Sequence, residues 1–184
     1  MRMVSETDRQ RLLRLAREAI VAHVTGMPRP AVAPLPEEPS GGGFVTLHLN
    51  GTLRGCVGSL GTTDPISRVV SDCAIAACSA DPRFEPVRPP ELPGLEIEIS
   101  LLGPLEPVTT PDQIEVGRHG LVVEQGSRRG LLLPQVASEW KWDRETFLAH
   151  TCEKGGLARD AWKSGAKVFR FEAEVFGEGG GKAG

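Results

Sequence analysis

The sequence predicts an α+β fold, a mostly antiparallel sheet flanked by helices. Asn50-Gly51 between two apolar runs is the strongest short signal for a β-hairpin. Residues 95–102 alternate between apolar and polar side chains, which is typical of a strand with one buried face. Strands that return through hairpins, without helical crossovers between them, favour antiparallel pairing.

Two long helices are predicted in the first half. Thr7 to His23 has a capping box of Thr7 with Gln10, and its apolar residues recur at helical spacing. The second helix is predicted to begin with Asp64 as N-cap and Pro65 at its first position. Cys73 and Cys78 lie on the apolar side of that helix, so we expect both to fill the core.

The second half repeats this kind of pattern. A strand from His119 turns at Gln125-Gly126 and returns through residues 128–133. Pro134 begins a helical stretch, and Asp143 is predicted to cap a helix that ends before Gly155. A last strand over residues 168–175 alternates between polar and apolar side chains.

Two segments are predicted to lie outside this core. Residues 28–43 are rich in proline and glycine and form an extended linker, since such a stretch suits neither a helix nor a central strand. Residues 177–184 are predicted to be a disordered, glycine-rich tail.

Composition excludes several classes of protein. The chain has 184 residues and a net charge of −3 with both signs interspersed, so it lacks the basic patch of a nucleic-acid-binding protein. It has no apolar run of about 18 residues, the length that a membrane span needs. Its N-terminus does not resemble a secretory signal, and its four scattered cysteines indicate reduced thiols. We therefore expect a cytoplasmic protein.

The chain also contains an apparent internal repeat. Asn50–Gly55 (NGTLRG) resembles Gln125–Gly130 (QGSRRG), and each segment is followed by a helix and then by a strand. This shared order predicts a duplication, with halves at about 44–102 and 119–176. Cys56 in the first half corresponds to Leu131 in the second, so the second half is expected to fill this position with core.

The stretch from Leu53 to Gly58 (LRGCVG) carries the most chemistry. In a regular strand Thr52, Arg54 and Cys56 would share one face, and a guanidinium beside a thiol stabilises the reactive thiolate. Gly55 and Gly58 would then leave room for a ligand or a partner. The structural alternative is that Cys56 is a small apolar filler and that both glycines serve packing.

Other residues are candidates for the same chemistry. His119 and His150 are the possible bases for a Cys56 nucleophile, and Glu98 and Glu139 are the available carboxylates. Arg54, Arg83 and Trp140 are predicted contact residues of a binding site, because arginine and tryptophan dominate interface hot spots, and Glu98 is a further binding candidate. Metal binding by Cys56, His119, His150 and Cys152 is a third possibility, but their spacing matches no usual ligand pattern, so no metal or cofactor is predicted.

The motif at 53–58 resembles the hallmark hexapeptide Leu-Arg-Gly-Cys-Ile-Gly of the AMMECR domain family, called AmmeMemoRadiSam system protein A in prokaryotes. The likeness covers residues 8–176, which we take as a single domain. It continues, in order along the chain, through Asp81–Phe84 (DPRF), Glu96–Ser100 (EIEIS), Gly117–Gly120 (GRHG), Arg129–Val136 (RGLLLPQV), Glu139-Trp140 and Phe147–Cys152 (FLAHTC).

The resemblance implies a two-lobed α+β fold. It also implies two partners encoded by neighbouring genes, a Memo-like protein and a radical SAM protein. It supplies no reaction. The first hypothesis for function is an adaptor or binding component that works with these partners through a cleft beside the 53–58 motif. The alternative is an enzyme that uses Cys56 as nucleophile or redox thiol. The sequence is compatible with a monomer or a homodimer.

Overall fold

The computed structural model describes residues 3–179. It contains four α-helices, seven β-strands and three short 3₁₀ turns in its described part. The helices are α1 Glu6–Thr25, α2 Ile66–Ser79, α3 Pro134–Glu139 and α4 Arg144–Lys154. The strands are β1 Gly43–Leu49, β2 Thr52–Ser59, β3 Leu95–Leu102, β4 Glu106–Pro107, β5 His119–Gln125, β6 Arg128–Leu132 and β7 Lys167–Gly177.

The chain divides into two compact units. The described part of the first unit comprises residues 3–102 and 174–179, and the second unit comprises residues 103–173. The pairings β1–β2, β1–β3, β4–β7, β5–β6 and β5–β7 are all antiparallel. The α+β class predicted from the sequence is therefore confirmed.

In the first unit, helices α1 and α2 cover one face of a sheet with the order β2-β1-β3. The apolar side chains of β3 point to this face, as their alternation predicted, and Ile97 and Ile99 are fully buried. Cys73 and Cys78 of α2 are buried beside them, which confirms their predicted role as core residues.

The first unit is completed by the end of the last strand. Phe176 of β7 packs in the same core. The Glu174 carboxylate, almost fully buried, accepts hydrogen bonds from the Val4 N–H at 3.3 Å and from Arg9 Nε at 2.8 Å. Gly177 still belongs to β7, and the Glu178 carboxylate accepts from Arg17 Nε at 3.0 Å. The expected tail at 177–184 thus begins too early, and its residues 180–184 lie outside the described residues.

In the second unit, β5 lies between β6 and β7, and β4 pairs with β7. Its core joins the apolar side of β5 to α4, whose Phe147 and Cys152 are fully buried. Asp143 caps α4 as predicted, because its carboxylate accepts from the Thr146 N–H at 2.8 Å.

The two units share one order of elements, namely a hairpin, then a helix, then a strand. The duplication itself stays a prediction.

Two predicted helix starts are wrong. Helix α1 is capped by Ser5, whose hydroxyl accepts from the Asp8 N–H at 3.1 Å, and not by Thr7. Asp64 does not cap α2, because Pro65 is the N-cap residue and contributes no side-chain hydrogen bond.

The Pro/Gly-rich segment supplies the missing cap of α2. Residues 27–42 form no helix or extended strand beyond the isolated bridge Ser40–Pro65. The Glu38 carboxylate accepts from the Ser67 N–H in the first turn of α2, at 2.5 Å. A carboxylate at this end of a helix also interacts favourably with its dipole.

Candidate functional site

The 53–58 motif forms most of strand β2, but it is not a regular strand. Leu47 pairs with Gly55 whereas the next residue, His48, pairs with Leu53, so Arg54 is the extra residue of a β-bulge. A bulge shifts the alternation of side chains by one position. Residues directly opposite each other in a sheet share a face, so Cys56 lies with Thr46, and Leu53 lies with His48 on that same face. The prediction that Thr52 shares the face of Cys56, with Leu53 on the opposite face, is therefore wrong.

Both glycines of the motif are required by packing. A Cβ atom added to Gly55 would lie 2.2 Å from the carbonyl oxygen of Ala77 in α2. A Cβ atom added to Gly58 would lie 2.2 Å from the ring of Phe44, the residue paired with it on β1. These glycines allow a helix and an aromatic ring to approach the strand closely.

The side chain of Arg54 binds residues 85–91 at the edge of β2 that does not pair with β1. Its guanidinium contacts the Glu91 carboxylate, with Nε to Oε1 at 2.9 Å, and Nη1 donates to the Glu85 carbonyl at 2.7 Å. A further contact reaches the carbonyl of Pro86 at 3.4 Å. The guanidinium is thus committed to holding residues 85–91, and strand edges covered in this way are protected from unwanted pairing.

Asp81 binds the same edge of β2 through the backbone of Cys56. Its buried carboxylate accepts from the Cys56 N–H at 2.9 Å and from two guanidinium nitrogens of Arg83, at 3.1 and 2.8 Å. These donors, Arg83 first, hold the pKa of Asp81 well below its usual range. Asp81 appeared in the sequence analysis only as part of a family motif. Its role depends on a contact between residues 25 positions apart.

The Cys56 thiol is the accessible one of the four. Cys56 is half-buried, whereas Cys73, Cys78 and Cys152 are buried. Its Sγ lies 3.2 Å from the hydroxyl oxygen of Thr46. Burial raises the pKa of Cys73 and of Cys78 to about 11.

The surface that carries Cys56 is the sheet face opposite α2. We call it the outer face, and it comprises side chains from all three strands of the hairpin sheet, namely Phe44, Thr46, His48, Leu53, Cys56, Glu96 and Glu98. Glu98, a predicted binding residue, is half-buried and lies opposite Thr46. Arg83, another predicted binding residue, has an exposed side chain that lies over the ring of Phe84 at 5.3 Å.

The remaining predicted site residues belong to the second unit. His119 begins β5 and is buried, and its Nδ1 accepts from the Glu115 N–H at 2.9 Å. His150 stacks on Trp142 with ring centroids 4.0 Å apart, and its Nδ1 lies 2.9 Å from Glu153. Among the described hydrogen bonds, Cys56 contacts neither histidine.

Glu139 and Trp140 also lie in the second unit and are both exposed at the end of α3. Trp140 stacks on Trp142 with centroids 6.3 Å apart. The structure therefore places Trp140 in an aromatic stack of this unit, and Glu139 precedes it in the chain.

The second unit contains a polar cavity of about 520 Å³. His119 and three arginines line it together with four carboxylates, namely Arg118, Arg144, Arg170, Glu106, Asp112, Glu115 and Glu172. A second, more open cavity shares Arg144, Asp112 and Glu115 with it. Neither of these two cavities includes a residue of the 53–58 motif, beside which a cleft was expected. Of the lining residues sequence reasoning singled out only His119, because the others come from separate loops and strands.

Burial and the nearby charges of Arg170 and Arg118 lower the pKa of His119 below its ordinary value. The imidazole is therefore held neutral near pH 7. Since Nδ1 is the acceptor, the ring hydrogen is assigned to Nε2.

Neither a metal site nor a membrane-spanning helix is found in the described part of the chain. Within residues 3–179 no three His, Cys, Asp or Glu side chains lie close enough together to hold a metal ion. No helix in that range combines the length and the apolarity that crossing a membrane requires.

Comparison with known proteins places this geometry in a family. The AMMECR1 family model matches residues 13–176. A protein of Methanothermobacter thermautotrophicus is 42% identical over 96% of this chain and 97% of its own length. A protein of Thermococcus gammatolerans is 45% identical over 91% of this chain and 88% of its own length.

A solved structure is also similar. The uncharacterized protein PH0010 from Pyrococcus horikoshii superposes with a TM-score of 0.89 at 39% identity, over 97% of this chain and 95% of that one. Sequence and fold agree over nearly the whole length, and the chain therefore belongs to the AMMECR1 family.

Proposed function

We propose that the protein is an adaptor that binds a protein partner through the outer face around Cys56. The partners that family resemblance suggests are a Memo-like protein and a radical SAM protein. One observation carries the proposal. The charged groups that the 53–58 motif contacts are engaged in holding the fold, which leaves the Cys56 thiol beside a neutral hydroxyl.

The contacts of Cys56 do not form a catalytic arrangement. A cysteine nucleophile needs a base within hydrogen-bond reach, and the polar side-chain partner of its Sγ is Thr46. The carboxylate nearest its backbone, Asp81, already accepts from Arg83 and has a lowered pKa, so it is a poor proton acceptor. Arg54 is bound to Glu91.

The outer face has the composition of a docking surface. Leu53 is an exposed large apolar residue, with 37% of its surface accessible, and Phe44 on the same face is half-buried, four residues along β1 from the partner of Leu53. Glu96 adds a negative charge to this face, and the exposed Arg83 adds a positive charge at the neighbouring edge of β2, where it pairs with Asp81. Apolar side chains combined with charges of both signs are typical of protein–protein interfaces.

Binding of the two genomic neighbours tests the proposal. The purified Memo-like and radical SAM proteins from the same organism are titrated with the wild-type chain and with Leu53→Asp, Arg83→Glu and Cys56→Ser. We expect Leu53→Asp and Arg83→Glu to weaken binding at least about tenfold, the scale of an interface hot spot. Cys56→Ser preserves size and hydrogen bonding, and we expect it to change the Kd by less than about threefold.

Val21→Asp is the matched control, because Val21 also has 37% of its surface exposed but lies on α1. An equal effect of Val21→Asp and Leu53→Asp, or no binding of either neighbour by the wild type, contradicts the proposal.

One observation favours the alternative, a cysteine-dependent enzyme. The Cys56 thiol is half-buried rather than sealed, and its charge would interact with Arg83. The variant Cys56→Ser distinguishes the adaptor from the cysteine-dependent enzyme. If Cys56→Ser retains partner binding yet abolishes the chemical output of the reconstituted system, Cys56 is a catalytic residue; if the output persists, the adaptor stands.

A further inference from the structure

We propose that the cavity of the second unit binds a small molecule through a single carboxylate group, which His119 and Arg144 hold. The cavity, about 520 Å³, is of the size that suits small-molecule ligands. All of its lining residues fall within 104–172, so the site is complete within one unit.

The first element of the site is the Nε2–H of the buried His119, a hydrogen-bond donor with no described protein partner. His119 is only 7% exposed, and Nδ1 is occupied by the Glu115 N–H. In the described part of the chain, no fully buried side-chain nitrogen or oxygen lacks a hydrogen-bond partner. No protein partner of Nε2 is described, so the Nε2–H reaches open space, and the space that His119 borders is this cavity.

The second element is the end of the Arg144 guanidinium. Its Nε donates to the carbonyl of Ile114 at 2.5 Å, which fixes the side chain at the first residue of α4. Within residues 3–179 its terminal nitrogens have no described hydrogen bond or ion pair. The other two arginines differ, because Arg118 is paired with Glu172 and Arg170 with Glu106.

The charges select the class of ligand. The three arginines are outnumbered by the four carboxylates of the lining, and His119 is neutral. A dianion such as phosphate would be repelled by these carboxylates. A monoanionic carboxylate matches a guanidinium fork and one imidazole N–H, and it lies near the N-terminus of α4, where the helix dipole favours an anion.

The test uses the full chain and three probes. Propionate, its neutral isostere propionamide and inorganic phosphate are titrated separately, and the His119 ring signals are followed by NMR. We expect propionate to shift these signals saturably, with a Kd at least about tenfold lower than that of propionamide or phosphate.

Two variants and one control locate the binding. His119→Asn keeps an acceptor for the Glu115 N–H, since the Asn amide oxygen takes the place of Nδ1, but it removes the Nε2 donor. We expect His119→Asn and Arg144→Gln each to weaken propionate binding about tenfold, followed by calorimetry or backbone amide shifts. The control Arg159→Gln removes an exposed arginine paired with Glu153 outside the cavity and should change nothing. Equal binding of propionamide, tighter binding of phosphate, or unchanged binding by folded His119→Asn and Arg144→Gln would overturn the proposal.

Discussion

The two hairpins of the molecule differ most where their sequences are most alike. In both, a glycine lies under a helix carbonyl, Gly55 under Ala77 and Gly130 under Thr151. In the first hairpin Arg54 is the extra residue of a bulge and reaches Glu91 across the strand edge. In the second the register is regular, and Arg129 pairs with Glu124 directly opposite it.

This difference separates the demands of the fold from those specific to one site. The glycine is a packing requirement that the two hairpins share. The bulge, the contacts of Glu91 and Asp81 at the edge of β2, and the half-buried thiol belong to the first hairpin. These features are therefore the ones to test for function. Leu131, which corresponds to Cys56, is half-buried and does not belong to the core of its unit, contrary to expectation, whereas Leu132 packs against that core.

The largest effect is expected at the shared glycines. We expect Gly55→Ala and Gly130→Ala each to lower the free energy of unfolding by about 3 kcal/mol, because the new methyl group would overlap a backbone oxygen. Urea denaturation measures the loss. Gly94→Ala is the control, since that methyl would meet the flexible end of Leu49 at 3.2 Å and the side-chain oxygen of Asn50 at 4.0 Å, but no backbone atom. A large loss in one hairpin only would show that the packing is not equivalent.

The next effect concerns the carboxylate at the edge of the first hairpin. We expect Asp81→Asn to lower the free energy of unfolding at pH 7 by about 2–3 kcal/mol, because charged hydrogen bonds to Cys56 and Arg83 are lost. The pKa of Asp81 is lowered by folding, so its stabilisation is present above the ordinary carboxyl pKa of about 4 and disappears as the pH falls below it.

The difference between wild type and Asp81→Asn should therefore shrink between pH 5 and pH 2, as measured by denaturation at each pH. A difference that stays constant over this range would show that the Asp81 charge contributes nothing.

The two arginines give a direct contrast between the hairpins. Arg54 has a largely buried side chain with several partners, and we expect Arg54→Ala to cost about 2 kcal/mol. Arg129 has a side chain that is 45% exposed and one ion pair, and we expect Arg129→Ala to cost less than about 1 kcal/mol. Equal losses in chemical denaturation would mean that the bulge does not change the role of the arginine.

The smallest effect on stability is expected at Cys56. Cys56→Ser should change the free energy of unfolding by less than about 1 kcal/mol, since the residue is half-buried beside a hydroxyl.

Alkylation of the native chain at pH 8, followed by mass spectrometry, should modify Cys56 first. Cys73 and Cys78, with pKa values of about 11, hold about 0.1% thiolate at that pH. Faster modification of either buried cysteine would contradict this burial pattern.

Local patterns predicted the elements well. The alternation of 95–102, the Asn50-Gly51 turn and the Asp143 cap all appear in the structure, because each depends on residues close together in the chain. The start of α2 was missed for the opposite reason. Its first turn is satisfied by Glu38, which the linker brings from 29 residues away.

The site was predicted only in part. The sequence indicated the motif and its glycines but not the bulge at Arg54, because register depends on what holds each strand edge, here Glu91 and Asp81. The cavity at His119 was not predicted at all. Its walls combine Arg144 with residues such as Arg170 that lie far apart in the chain, and each of these arginines alone looks like an ordinary surface charge.

The division of β7 between the units has a consequence for biosynthesis. Glu174 and Phe176, which complete the first unit, follow the whole of the second unit in the chain, so the ribosome adds them after residues 103–173. The N-terminal hundred residues therefore emerge without the buried carboxylate that pairs with Arg9. The first unit closes only after the second has been translated, and a nascent chain arrested before β7 would leave α1 without its final anchor.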